Sequence, residues 1–521
     1  MPLHRLVLFF LMVVICLPAI AGVRSDYPPK PTTVQGWRKA AAEDLAAIHT
    51  LLKENHPAMV VDKGGESFKA WIDKGYEQAK RQIPDIRGEW DYYFLITHYV
   101  GGFRDAHIGI NRHSDLPEPE IQRWPGIVLA YANGRYVVHS TAPWLADRAP
   151  PLGAELVTCD GHSVDALARA RLDLYWENMD LERGAYQGAW QLLMDVGNGF
   201  APQPRTCLFR TPAGIRSYPL EYRKPVTEDD LSNRVSATAP ATSSPLGVTN
   251  PLPGVWWIAL PSMRPAKADW DALITDVESH LADIRAAHQV VIDLRGNLGG
   301  NDMIPFHLAS LLWGRDFLLS HEHKTPRVIY RATPLIIRKY KKLEEKSLLL
   351  DSTIARITPP LQRALNEGKS KLIFNSSQSN LDDARPDNRM NGQVVLLTDH
   401  NCVSACLDGM DMMLPLPNTV QAGWETWADT IFGAVIHKSL PSRRWSLYFS
   451  VNAAVDRCRG NNIPYRPLPG FRFSGDIMDT AAIQAWVQHL PATPADWGAT
   501  GPGCPRSQPQ PVHPPPMAIM D

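Results

Sequence analysis

Two strand-to-loop junctions hold the residues whose types and spacing best support chemistry. In the first, the apolar run Val394-Val395-Leu396-Leu397 passes through the polar turn Thr398-Asp399-His400-Asn401-Cys402-Val403 to Ser404-Ala405-Cys406-Leu407. The pattern predicts a buried strand, a turn and a helix that opens near Ser404. Unpaired N–H groups and the positive end of a helix dipole at that point favour an oxyanion beside an attacking hydroxyl. A serine there can equally cap the helix. In the second junction Val290-Val291-Ile292-Asp293-Leu294 runs into Arg295-Gly296-Asn297-Leu298-Gly299-Gly300-Asn301. It lacks the spacing of a dinucleotide loop and the Gly-Lys-Ser/Thr ending of a phosphate loop. Its paired glycines suit an oxyanion hole, or an ordinary turn fixed by an Asp293–Arg295 ion pair. Cys402 and Cys406 raise a thiol nucleophile as a rival. At four-residue spacing on a helix they share one face while Ser404 faces away. Burial behind the loop, or a bridge from one of them to Cys458, is the plainer expectation.

Taken in order, Asp105-Ala106-His107, Asp293-Leu294-Arg295-Gly296-Asn297-Leu298-Gly299-Gly300, Ser404-Ala405 and Gly423-Trp424-Glu425-Thr426 resemble the C-terminal processing and tail-specific serine proteases. Relatives of that family include tricorn-type proteases and interphotoreceptor retinoid-binding proteins. The resemblance implies an α/β, crotonase-like (ClpP/crotonase) core with an N-terminal helical region and an inserted PDZ-like β-rich domain. It implies Ser404 as nucleophile, with the backbone N–H of Ala405 and one from Gly299 or Gly300 as oxyanion donors. A serine needs a base within hydrogen-bond reach. Many members place a lysine about 25 residues beyond the serine, but here that position is Asp429, and Gly433 is followed by Ala434. Others take a histidine from ahead of the PDZ module, which makes His107 the candidate base. His400, His437 and Lys438 are weaker competitors. For a third member that orients the base, the resemblance offers Asp456, Asn462 or its neighbour Asn461, and Glu425.

The elements that must position these residues follow from periodicity. Helical spacing from Gly36 to Val100 predicts an N-terminal helical region over 22–117, ending in a loop that carries His107. Short strands at Ile127–Tyr131, Tyr136–His139 and Glu155–Cys159, with turns at Asn133-Gly134 and Asp160-Gly161, predict a β-rich module over 118–224, the PDZ-like one. Residues 225–253, rich in Ser, Thr, Ala, Pro and Asn, read as a linker. Apolar strands alternating with helices over 254–490 predict a sheet covered on both faces. The proline-rich end, 491–521, reads as a disordered tail.

The chain has 521 residues, 53 Lys and Arg against 54 Asp and Glu, and a pI near 7.0. That balance gives no field for gathering nucleic acid. Arg5, the apolar run Leu6 to Leu17 and Ala19-Ile20-Ala21 read as a cleavable export signal over 1–21. The run falls short of the roughly 20 residues that span a bilayer. A periplasmic or secreted product without a stable membrane anchor is expected. Six cysteines beyond that signal allow disulfides without fixing their pairing, and none has zinc spacing, so neither metal nor cofactor is expected. The reading is an exported serine endopeptidase acting on peptides or unfolded proteins through an acyl-enzyme. An inactive binding protein on the same fold and a serine esterase are its rivals.

Overall fold

The computed structural model describes residues 29–113, 121–225, 228–238, 244–321, 327–344, 351–374, 386–457 and 459–493. The expected signal, most of the tail, and Cys458 and Cys504 lie outside them.

The chain is mixed α/β and builds three sheets. The central one runs Thr419–Gly423, Gln393–Thr398, Gln289–Asp293, Val255–Ala259 and Gly247–Leu252. The first four strands are parallel and the last is antiparallel. Alternate residues of these apolar strands point to opposite faces, so each strand feeds two cores. Ile258, Val290, Ile292, Val394 and Leu396 pack with helices Lys267–Ser279, Met303–Trp313 and Ala405–Met413. Trp257, Val291, Val395 and Leu397 pack with Phe471, Phe473, Ile483 and Val487 on the other side. Between the strands, Lys267–Ser279 and Leu281–Ala286 form two helices separated at His280.

The segment read as a linker contributes structure. Helix Glu228–Ser236 and strand Gly247–Leu252 fall inside 225–253, and the strand pairs with Val255–Ala259. Alternation was hidden there by Asn250 and Pro251, which an edge strand tolerates.

A second sheet joins the two ends of the chain. Gly109–Arg112 pairs antiparallel with Trp445–Val455, which also pairs with Phe432–Ser439 and Arg327–Arg331. Helices Val34–Asn55, Glu66–Gln82 and Glu89–Gly101 close over this sheet in one apolar core that holds Leu45, Ile48, Ile72, Tyr92 and Leu95 with Leu447, Phe449 and Val451. The N-terminal helical region is therefore not separately cored.

The third sheet orders Ile127–Ala132, Arg135–Thr141, Glu155–Cys159, Thr206–Thr211 and Gly214–Pro219, with helix Val164–Leu172 against it. Its two predicted turns carry positive φ at Asn133, Gly134, Asp160 and Gly161. A Cys159–Cys207 disulfide crosses neighbouring strands.

Candidate active site

Ser404 immediately precedes helix Ala405–Met413 at φ 59° and ψ −127°, and its side chain makes no capping bond. A non-glycine residue costs about 1–3 kcal/mol in such a conformation, which persists only where the surroundings impose it. Cys402 and Cys406 are fully buried and bonded to each other across the serine, closing a ring around the turn. Neither sulfur is thus a free thiol, and the expected bridge to Cys458 gives way to this local one. The four-residue spacing brings them together across the turn, because Cys402 lies ahead of the helix.

The freed hydroxyl meets a histidine 297 residues away: His107 Nε2 lies 3.1 Å from Ser404 Oγ. Helix Glu89–Gly101 ends, Arg104 takes positive φ, and strand Gly109–Arg112 is locked to Trp445–Val455. His107 stands between those two anchors. Its side chain is 16% exposed. With Nε2 accepting from the serine, the ring proton sits on Nδ1. Asp105 Oδ1 accepts the His107 backbone N–H at 2.9 Å and lies 3.7 Å from Nδ1. The latter is an ion-pair distance, too long for a hydrogen bond. Burial pulls the His107 pKa down, but Asp105, then Asp429 and Asp408, outweigh it and hold it above its ordinary value of 6.5.

The Gly-Gly loop is anchored from below. Asp293 accepts from Arg295 Nε at 2.9 Å, from Trp257 Nε1 at 3.1 Å and from Ser244 Oγ at 2.8 Å. Asp399 accepts the Gly296 N–H at 3.0 Å and so ties this loop to the serine turn. Asn297 donates to Leu260 O at 2.7 Å and accepts the Gly299 N–H at 2.8 Å. Gly299 is thereby spent as a donor, while no hydrogen bond among the described residues takes the N–H of Gly300 or Ala405. Gly299, at φ +79°, abuts Ser404: a Cβ there would stand 2.4 Å from Val403 O and 2.8 Å from Ser404 Cβ.

The other candidates are committed elsewhere. Asp456 pairs with Arg327 at 2.7 Å, half-exposed on the surface. Glu425 accepts the Glu182 backbone N–H at 3.1 Å and pairs with Arg466, linking the β-rich module to the core. The Asn462 N–H goes to Asp429 O at 2.8 Å, and Asn461 joins Ile431 N to Gly64 O. None of the four contacts His107. His400 is buried between Tyr186 and Trp424, is bonded through Nδ1 to Glu425 O and not to Ser404, and has its pKa driven down to about 4 chiefly by burial. His437 lies beside Tyr448 with the rings tilted by 43°, and Lys438 is exposed on the same strand. Asp429, where many relatives carry lysine, is buried against Arg457 and Arg459; burial raises its pKa, but these cations bring it to about 2. Sequence reasoning quoted Asp105 in a motif without giving it a role. Its signal was the Asp-x-His spacing, which lets one carboxylate take the histidine's backbone and face its ring. Among the described residues no group of His, Cys, Asp and Glu is arranged to hold a metal, and no helix is long and apolar enough to cross a membrane.

Residues 255–407 match the model of Peptidase family S41, a span that includes the Gly-Gly loop and Ser404. Comparison with curated protein sequences gives no match. Among solved structures the chain is similar to mature CPAF complexed with lactacystin, at 13% identity and TM-score 0.52, covering 87% of this chain and 97% of that one. It is also similar to a point mutant of CPAF, at 14% identity and TM-score 0.54, covering 88% and 99%. At such identity the likeness is one of fold. Three strands of the central sheet, the glycine loop and the serine turn lie within the matched span, and over that span the chain is similar to Peptidase family S41.

Proposed function

We propose that the chain is an exported serine endopeptidase with Ser404 as nucleophile and His107 as base. The observation that carries this is the 3.1 Å contact between His107 Nε2 and Ser404 Oγ, made across two distant parts of the chain at a strained serine. As Oγ bonds to the peptide carbonyl carbon, its proton passes to Nε2. The carbonyl π electrons move to oxygen, where the Ala405 and Gly300 N–H groups are the free donors. Collapse expels the amine, which takes the proton from Nε2, and water then releases the acyl group by the same path in reverse. The central parallel sheet and its flanking helices support a crotonase-like core. The third sheet, with its tight turns and helix, supports a PDZ-like module that adds an extended peptide to a sheet edge.

His107 acts as base only when neutral. Since its pKa is raised, kcat/KM is expected to be full at alkaline pH and lost as pH falls through a midpoint above 6.5. A pH profile of a chromogenic peptide checks this. Fluorophosphonate labelling of the purified protein, with casein cleavage alongside, tests the reading as a whole. Labelling with cleavage supports the peptidase, labelling without cleavage favours an esterase, and neither favours a binding protein.

A further inference from the structure

Three buried polar atoms near the site have no hydrogen-bond partner: His56 Nε2, Asp105 Oδ2 and His107 Nδ1. Such orphans are rare because each forfeits its bond to water. Here they are complementary. His56 is fully buried at the end of helix Val34–Asn55, stacked on Phe68 at 4.1 Å with its edge to Phe432. Its Nδ1 accepts the Ala58 N–H at 3.2 Å, so that nitrogen bears no proton. Burial drives its pKa down to about 3, and the neutral ring must then carry its one proton on Nε2. The charge that opposes this fall belongs to Asp105. His107, accepting from Ser404, likewise carries its proton on Nδ1, toward Asp105. Two N–H donors thus lack acceptors, and the carboxylate whose charge reaches both has a free oxygen.

Resting on the peptidase reading above, we propose that Asp105 and His56 are positioning residues for His107: the two imidazoles donate to one Asp105 carboxylate, a buried His-Asp-His row behind the nucleophile. In it His56 Nε2–H holds Asp105, and Asp105 holds the His107 ring in its base tautomer and balances the imidazolium formed when Ser404 gives up its proton. No residue beyond Ser404 is needed for that task. The other ionisable groups around the row are Tyr448, kept protonated by burial with Asp105 adding, and Asp429 and Asp408 on the far side of His107, with Arg457 and Arg459 neutralising Asp429.

The two amide analogues of histidine separate this role from packing. In His56→Asn the side-chain oxygen can still accept from Ala58 but nothing reaches Asp105; in His56→Gln an N–H can stand where Nε2 stood. His56→Asn is expected to lower kcat by about 10–10²-fold with KM unchanged. It should also move the acid limb of the pH profile downward, because Asp105 no longer faces the ring. His56→Gln should recover most of both. Asp105→Asn should cost about 10³–10⁴ in kcat, and adding His56→Asn to it should cost little more, since both act through one group. Independently of turnover, proton NMR should show a far-downfield imidazole N–H signal that disappears in Asp105→Asn and in His107→Ala. A wild-type kcat and pH profile in His56→Asn, losses that multiply in the double variant, or a downfield signal surviving Asp105→Asn would each overturn the row. Failure of the parent protein to label with fluorophosphonate would instead strike the peptidase reading, and the NMR signal would still decide whether the row exists.

Discussion

Ser404→Ala and His107→Ala are each expected to lower kcat/KM by about 10⁴–10⁶, with circular dichroism unchanged, and the double variant to be no worse than either single. The two residues form one unit. Without His107 the serine hydroxyl keeps its ordinary, very high pKa, and without Ser404 the imidazole has nothing to deprotonate. Both substitutions remove side chains that reach the contact from opposite parts of the fold, so neither should open the main cores. Steady-state cleavage of a quenched fluorescent peptide, with active-site titration by fluorophosphonate, reads the result. Full activity in His107→Ala would end its assignment as base and leave no other imidazole among the described residues in contact with Ser404, since His400 is held by Glu425 O and flanked by aromatic rings.

Gly299→Ala should also be damaging although it changes no reacting group. The residue has φ +79°, and the new methyl would have to occupy space held by Val403 O, Ser404 Cβ and Ala405 N, the last at 2.9 Å. These atoms belong to the nucleophile turn, which the Cys402–Cys406 ring and Asp399 hold from the other side. The turn or the glycine loop must yield, and either moves the serine relative to the free N–H groups. A shift near 1 Å is worth about 10² in rate and loss of one oxyanion donor about 10²–10³. A kcat loss of at least a hundredfold is therefore expected, with little change in melting temperature; wild-type kcat in this variant would show that the loop does not shape the oxyanion site.

Three strands of the central sheet, Val255–Ala259, Gln289–Asp293 and Gln393–Thr398, were legible in the sequence to within a residue or two, because fully buried parallel strands leave continuous apolar runs; Thr419–Gly423 was not recognised. Asn133-Gly134 and Asp160-Gly161 likewise announced their turns, since few residue pairs accept positive φ in succession. Strand Gly247–Leu252 was not legible: an edge strand is half-solvated, and its composition matched that of a linker. Ser404 and His107 were brought forward by motif order, but their third partner was sought downstream of the serine. Asp456, Glu425 and Asn462 lie in the stretch where a partner was expected, yet Arg327 and Arg466 occupy the two carboxylates, and no hydrogen bond among the described residues joins Asn462 to His107. Pairings of that kind depend on tertiary neighbours dozens to hundreds of residues away. The Cys402–Cys406 bridge was missed because helical periodicity was applied to a stretch that is still turn.

The pairing of Gly109–Arg112 with Trp445–Val455 has a consequence in time. The strand that follows His107 is completed by residues made more than three hundred positions later, beyond Ser404. A growing chain carries its serine before it has a finished partner for the histidine strand. On the proposed reading, the contact between His107 and Ser404 is assembled only once that late strand is in place.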